Sequence, residues 1–469
     1  MRGGQYSHRL AGSAHPSNLV RVGTRKPRPA MLIKLDLHRI RSGPIPLGLV
    51  VVCTLLVGCD PRRDSDLDDR LAAADSLVAA WVGAERIPGA VLLVSVDGRV
   101  ALERAYGSAQ LYGYGAGQYP SAAAVGGGVE PARGLERLSE PRPMTTGTLF
   151  DLASVTKVMA TTMAVMILVD RGRLHIDEPV RTYLPDFTGG GREAIAVRDL
   201  LVHRSGLAQW QPVYYHAAGP DKAYAYIRQL PLAWPPGAER HYSDLGFMVL
   251  GRIVERVSGA SLADFLREEL YEPLGLRHTG FRPGPQSIDA AAEVPLAATS
   301  HGNPFERRMV HDPDFGYRID GDAQAWDGWR RGTLQGEVND GNAFHAFGGV
   351  AGHAGLFSTA GDLAVMLELL LERGSHAGNR LMAPEVVDLF LTPTTDAGQA
   401  LGWQVPSDAP PGSFTHTGFT GTYVFGAADR HLAIVLLTNR QNLGVDSVTS
   451  YPDVGPLQRE VTAVLTACC

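Results

Sequence analysis

At 469 residues the chain is about three times the usual prior for one domain, so one large or two moderate domains are expected. Hydrophobic residues at 45% and charged residues at 20% are ordinary globular values, which exclude a mainly disordered, collagen-like or coiled-coil chain. A formal net charge of -6, with no long basic block, argues against nucleic acid as a partner.

In chain order, the first feature is the apolar run 45–57, preceded by Lys34, Arg39 and Arg41. A basic flank followed by about a dozen apolar residues is the pattern of a secretory signal, too short for a comfortable membrane span. The run ends in Leu56-Val57-Gly58-Cys59 and gives way to the polar stretch 60–70. A signal starting at Met1 would be unusually long and one starting at Met31 has normal length, so both Met1 and Met31 stand as candidate starts. The expected organisation is an N-terminal extension and signal over 1–59, a tether over 60–68 and one functional domain over 69–469. Of the four cysteines, Cys53 and Cys59 belong to the signal, and Cys468 and Cys469 end the chain. The part between them therefore has no disulfide framework and no thiolate metal site.

Leu71, Leu77, Val78 and Trp81 define one face of a helix that runs to about Gly83. Strands are expected at 90–96 and 99–106, joined by Asp97-Gly98, and then a long Gly/Ala/Pro-rich loop or insertion at 107–143. Helical patterns follow at about 154–170, 221–230, 244–257, 261–270, 361–373 and 384–391. The chain returns to strands at about 413–425 and 431–438, and closes with a helix near 456–466. Strands at both ends and helices between predict an α+β domain whose sheet is closed by the two termini, with a helical region inserted.

The strongest chemical signal is Phe150-Asp151-Leu152-Ala153-Ser154-Val155-Thr156-Lys157. A serine hydroxyl is a weak nucleophile and needs a base within hydrogen-bond reach. On a helix, residues three apart share a face, so Lys157 sits beside Ser154. The helix start also offers free N–H groups to an oxyanion. Ser-x-x-Lys alone is a weak motif, but the lysine usage strengthens it. Of 43 basic residues only Lys26, Lys34, Lys157 and Lys222 are lysine. Arginine cannot deprotonate, whereas lysine can, which suits a base. Tyr242-Ser243-Asp244 brings a phenol and a carboxyl to another helix start, and His416-Thr417-Gly418 begins a strand near the C-terminus.

In this order the three segments resemble the signatures of serine β-lactamases and penicillin-binding proteins: Ser-x-x-Lys, Tyr-x-Asn or Ser-x-Asn, and Lys-Thr-Gly. The likeness is greatest to the class C β-lactamase-like branch, with its esterases and D-amino-acid peptidases. It extends to Leu200-Leu201-Val202-His203-Arg204-Ser205-Gly206-Leu207 and to 348–359. Leu56-Val57-Gly58-Cys59 resembles a lipoprotein signal, implying lipid on Cys59 and a domain outside the cytoplasm.

The resemblance implies a β-lactamase/transpeptidase-like fold and acyl transfer to Ser154, with Lys157 as base and Tyr242 relaying protons to the leaving group. Backbone N–H groups of Ser154 and Phe419 would form the oxyanion hole, and Asp244, His416, Thr417 and Gly418 would line the substrate. No metal and no cofactor are implied. The partners would be a small-molecule or peptidoglycan-derived substrate and, through the lipid anchor, a membrane. Two departures stand out. Asp244 replaces asparagine, and its charge would raise the pKa of Lys157 unless it points away, pairs with an arginine, or leaves Tyr242 more of the base role. His416 replaces lysine and is mostly neutral at pH 7, which weakens selection for a substrate carboxylate. A serine hydrolase of an amide or ester is thus expected ahead of a D-Ala-D-Ala carboxypeptidase or β-lactamase proper, and ahead of an inactive muropeptide-binding lipoprotein. Ser205, His345 and His353 read as structural, and Trp326, Trp329, Asn339, Asp340 and Asn342 as a cleft rim.

Overall fold

A computed structural model describes residues 61–114, 135–281, 294–312, 322–394, 398–446 and 450–467. The chain divides into two units, Met1–Gly58 and Cys59–Cys469, and the described residues all fall in the second. The signal, Cys53, Cys59, Cys468 and Cys469 lie outside the described residues.

Helix α1 (Pro61–Gly83) begins well before its apolar stripe, so 61–68, expected as a tether, forms its first turns. Strands β1 (Gly89–Val96) and β2 (Arg99–Tyr114) form a hairpin whose turn residues, Asp97 and Gly98, both have positive φ. That is the turn whose twist suits two adjacent strands. β2 is longer than expected and pairs with β3 (Leu135–Pro143), so both ends of the supposed loop 107–143 are strand. Burial alternates from Ala109 to Tyr114, but small residues at buried positions hide the pattern in the sequence.

The C-terminal strands complete the sheet. The expected single strand 413–425 is instead a hairpin of β7 (Ser413–Thr417) and β8 (Thr422–Ala427), followed by β9 (Leu432–Thr438). The antiparallel order is β7-β8-β9-β1-β2-β3, and β9 pairs with β1 from Ala90↔Thr438 to Val96↔Leu432. The termini do close the sheet.

Both faces are apolar. Leu92, Val94, Phe425, Ile434 and Leu436 pack with Val78 and Trp81 of α1 and with Leu457 and Val461 of the last helix, α4 (Gly455–Thr466). On the other face Val91, Leu93, Val435 and Leu437 meet the core around helix α2, which spans Ala153–Asp170. Burying each such side chain contributes about 1.5–3 kcal/mol. A small second sheet aligns the site. There β4 (Phe150–Asp151) pairs with β6 (Leu356–Ser358), which also pairs with β5 (Gly280–Phe281).

Candidate active site

The chain reaches α2 through a constrained turn. Ala153 has φ of 45°, a left-handed conformation that costs a non-glycine residue energy. The Asp151 carboxylate holds it there, accepting the Ala153 N–H at 2.8 Å and the Asn339 N–H at 2.5 Å. Burial, opposed by these two donors, pushes the Asp151 pKa up to about 6. Ser154 follows in a 3-10 turn, Ala153–Val155, and Lys157 opens a π-helical stretch, Lys157–Thr162. Such widened turns recur at functional sites. Met163–Asp170 finishes as α-helix and Gly172, with φ of 63°, terminates it.

Lys157 is fully buried, and its Nζ lies 2.9 Å from Ser154 Oγ, as the spacing predicts. It also donates to the His353 carbonyl at 3.1 Å and lies 2.7 Å from Asp244 Oδ1. Burial pushes the Lys157 pKa down, but the Asp244 carboxylate and the Tyr242 phenol together outweigh it and hold the ammonium above its ordinary value. Asp244 thus neither points away nor pairs with an arginine. It pairs with the lysine itself.

Asp244 is free for this because Ser243 caps helix α3 (Asp244–Ser258), its Oγ accepting the Gly246 N–H at 3.1 Å. The Tyr242 ring centre lies 4.9 Å from Lys157 Nζ, and burial raises the phenol's pKa. His203, given no role by sequence, packs its ring 4.5 Å from Tyr242 and 5.2 Å from Phe247. Its Nδ1 accepts the Ser243 N–H at 3.1 Å, and burial keeps it neutral.

The 352–356 segment is laced along α2. Thr161 Oγ1 donates to the Gly352 carbonyl at 2.6 Å, and the Leu356 N–H donates to Thr156 Oγ1 at 3.1 Å. Gly352 has to be glycine because an added Cβ would collide with the Phe247 carbonyl on α3. His353, read as structural, places its carbonyl on Lys157 and its Nε2 2.9 Å from Asp340 Oδ1. Burial would raise the Asp340 pKa, but the His353 ring and the Ala343 N–H hold it below its ordinary value. Glu306 accepts the Gly341 N–H at 2.7 Å, and burial with the neighbouring Asp340 charge pushes it up to about 8. Of the expected rim, Asp340 and Asn339 reach the site. Trp326 and Trp329 instead join Tyr214 and Tyr215 in an aromatic cluster, while Asn342 binds the Val213 and Gln211 backbone.

Strand β7 is the edge of the large sheet and carries the third motif. His416 is buried, and its Nδ1 lies 2.8 Å from the Thr417 carbonyl, so that nitrogen carries the proton. Burial first, then the Lys157 charge, pushes the His416 pKa down to about 3, leaving Nε2 an acceptor with no hydrogen-bond partner among the described residues. Thr417 is exposed. Gly418 is expected to line the substrate and leave room for a backbone. In the structure it admits the protein's own, since a Cβ there would strike the Leu152 carbonyl. Thr420 Oγ1 donates to the Asp151 carbonyl at 2.7 Å and Thr422 Oγ1 to that of Leu152 at 2.9 Å, fastening the turn to the residues before Ser154. Phe419, 39% exposed, sits in that turn with its carbonyl bound by Arg440 and Gln441.

A sheet closed by both termini, with a Ser–Lys pair at the start of a buried helix, is the fold of the serine β-lactamases and penicillin-binding proteins. A class C β-lactamase from Rhodobacter sphaeroides superposes with a TM-score of 0.55 at 21% identity, covering 84% of this chain and 98% of that one. Residues 74–453 match the family model described as Beta-lactamase, and the chain belongs to that family. It is 34% identical over 409 residues to a Bacillus subtilis protein named N-acetylmuramyl-L-alanine amidase, covering 82% of this chain and 84% of that one. It is 32% identical over 425 residues to an Escherichia coli K12 protein provisionally named D-alanyl-D-alanine carboxypeptidase, covering 85% and 89%. The chain is a serine hydrolase of the acyl-enzyme type.

Proposed function

We propose that the chain hydrolyses a peptidoglycan-derived amide, or a related ester, outside the cytoplasm, anchored by lipid on Cys59. The observation that carries the catalytic reading is Ser154 Oγ held 2.9 Å from a fully buried Lys157 Nζ at a helix start. Ser154 attacks the carbonyl carbon, and its backbone N–H with that of Phe419 steadies the developing oxyanion. Tyr242, whose ring centre lies 4.9 Å from Lys157 Nζ, passes a proton to the departing nitrogen or oxygen. Water then attacks the acyl-serine by the reverse route.

The substrate class follows from charge. A neutral His416 with a bare Nε2 accepts a hydrogen bond and does not pair with a carboxylate, and the Asp244 and Asp340 charges lie close by. This favours cleavage away from a terminal carboxylate, and so an amidase or esterase over a D-Ala-D-Ala carboxypeptidase. The names of the two relatives, which describe hydrolysis of muramyl and D-alanyl amides, fit the peptidoglycan setting. Among the described residues the one helix apolar enough to cross a membrane is Ala153–Asp170, which is buried and carries the site, so membrane attachment rests on Cys59.

The test compares p-nitrophenyl acetate, a cephalosporin, a D-Ala-D-Ala peptide and a muramyl-peptide amide, with Ser154→Ala as control. The muramyl amide or the ester should be turned over fastest, and only by the wild type. Equal rates in Ser154→Ala, or a preference for the D-Ala-D-Ala peptide, would overturn the proposal.

A further inference from the structure

Around Lys157 the serine proton has few places to go. Nζ lies 2.9 Å from Ser154 Oγ, 3.1 Å from the His353 carbonyl and 2.7 Å from Asp244 Oδ1, with the Tyr242 ring centre 4.9 Å away. An ammonium has three hydrogens and no lone pair. Surrounded by oxygens in this way it donates and cannot accept. Before Lys157 can take the Ser154 proton, it has to give one up. The His353 oxygen is an amide carbonyl, the Tyr242 oxygen a neutral phenol, and Ser154 is the donor in question. Among the described neighbours of Nζ, Asp244 alone offers a carboxylate oxygen to receive that proton.

We infer that Asp244 takes up the serine proton, receiving it through Lys157. The inference rests on the acyl-serine reading above. As Ser154 Oγ bonds to the substrate carbonyl carbon, its proton moves to Nζ and one Nζ hydrogen moves to Asp244 Oδ1. Lys157 stays an ammonium throughout, and Asp244 ends as a neutral carboxylic acid. When the intermediate collapses, the C–N or C–O bond breaks. The proton then returns from Asp244 through Lys157 and Tyr242 to the leaving group. In deacylation, water loses its proton along the same path and Ser154 regains one.

The arrangement makes the departure from asparagine functional. With an amide in place of the carboxylate, Lys157 has nothing to pass its proton to and acts as the base only at a pH high enough to leave it neutral. In this chain the carboxylate makes the lysine a proton conductor. Asp244 acts through Lys157 and is a positioning residue for the proton, so its test has to read pH. The groups facing the pair are Tyr242, His203, His353, His416, Asp340 and Glu306. Burial keeps His203 and His416 neutral, and Asp340 stays ionised. Glu306, pushed up to about 8, titrates within the assay range, so each profile is repeated on a Glu306→Gln background.

The experiment follows kcat/KM for p-nitrophenyl acetate from pH 5 to 9.5 in wild type, Asp244→Asn and Asp244→Glu. The wild type should be nearly flat between pH 7 and 9. If lysine alone were the base, its raised pKa would make the wild-type rate climb about tenfold per pH unit across that range, and this result, which needs no variant, would refute the relay. Asp244→Asn should move the acid limb to higher pH, being at least tenfold slower than wild type at pH 6 and recovering above pH 9. Asp244→Glu should keep the wild-type limb. An acid limb in Asp244→Asn that moves to lower pH would show that the carboxylate only holds the lysine inactive. An unmoved limb would show that it takes no part. Fluorophosphonate labelling run alongside separates the two readings: a wild type not labelled at Ser154 defeats the acyl-serine reading, whatever the pH profiles show.

Discussion

Replacing Lys157 with methionine removes the ammonium, keeps most of the stem's bulk and leaves Asp244 without its partner. At an effective dielectric of about 20, unit charges 2.7 Å apart attract by roughly 6 kcal/mol. The lysine is fully buried, but the Asp244 side chain is 19% exposed, so water recovers part of that energy. The expected cost of Lys157→Met is about 3 kcal/mol, at the low end for breaking a buried pair by removing one partner. The sign with pH follows from the raised lysine pKa. The pairing stabilises fully below the unfolded lysine value near 10.4 and is lost only as pH rises through the higher folded value. The deficit of Lys157→Met should therefore persist from pH 6 to 9. Asp244→Asn should cost a similar amount, and the double variant much less than the two together, because it buries no unpaired charge. Urea unfolding of the four proteins at pH 7.5 measures this cycle. Single costs that simply add, within about 0.5 kcal/mol, would mean that the two side chains are not coupled and that the pair at the site is incidental.

Three further outcomes are expected. Gly352→Ala forces a methyl against the Phe247 carbonyl and should cost about 2 kcal/mol in unfolding experiments. It should also lower kcat/KM, because the next carbonyl, that of His353, positions Lys157. His416→Lys replaces a neutral acceptor with a cation and should raise the preference for acid-terminated over amide-terminated peptides about tenfold, or 1.4 kcal/mol. An unchanged ratio in paired rate measurements would place His416 outside the substrate's reach. Cys59→Ser should move the protein from the membrane to the soluble fraction, and a variant that still sediments with membranes would rule out the lipid anchor.

The parts of the site legible in the sequence were local ones. Ser154 and Lys157 are one helical turn apart, and Tyr242 and Asp244 flank a capping serine, so spacing alone places each pair. The partnerships between segments were not legible. Asp244 on Lys157, His353 on Asp340 and Asp151 on Asn339 each join residues brought together only by the tertiary fold. Strand errors had a similar origin. β7 and β8 read as one strand because strand-forming residues flank the turn on both sides, although Gly421 has φ of 105° and cannot continue a strand. β3 is exposed or half-exposed along its whole length, so it has no apolar alternation to find. Its pairing with β2 holds it in place.

The most direct measurement of the central claim is the mass of the labelled protein. Incubation with a fluorophosphonate, followed by proteolysis and mass spectrometry, should place one adduct on the peptide containing Ser154 and none in Ser154→Ala. An adduct on another serine, or a wild type that hydrolyses its substrate while resisting the label, would contradict the account.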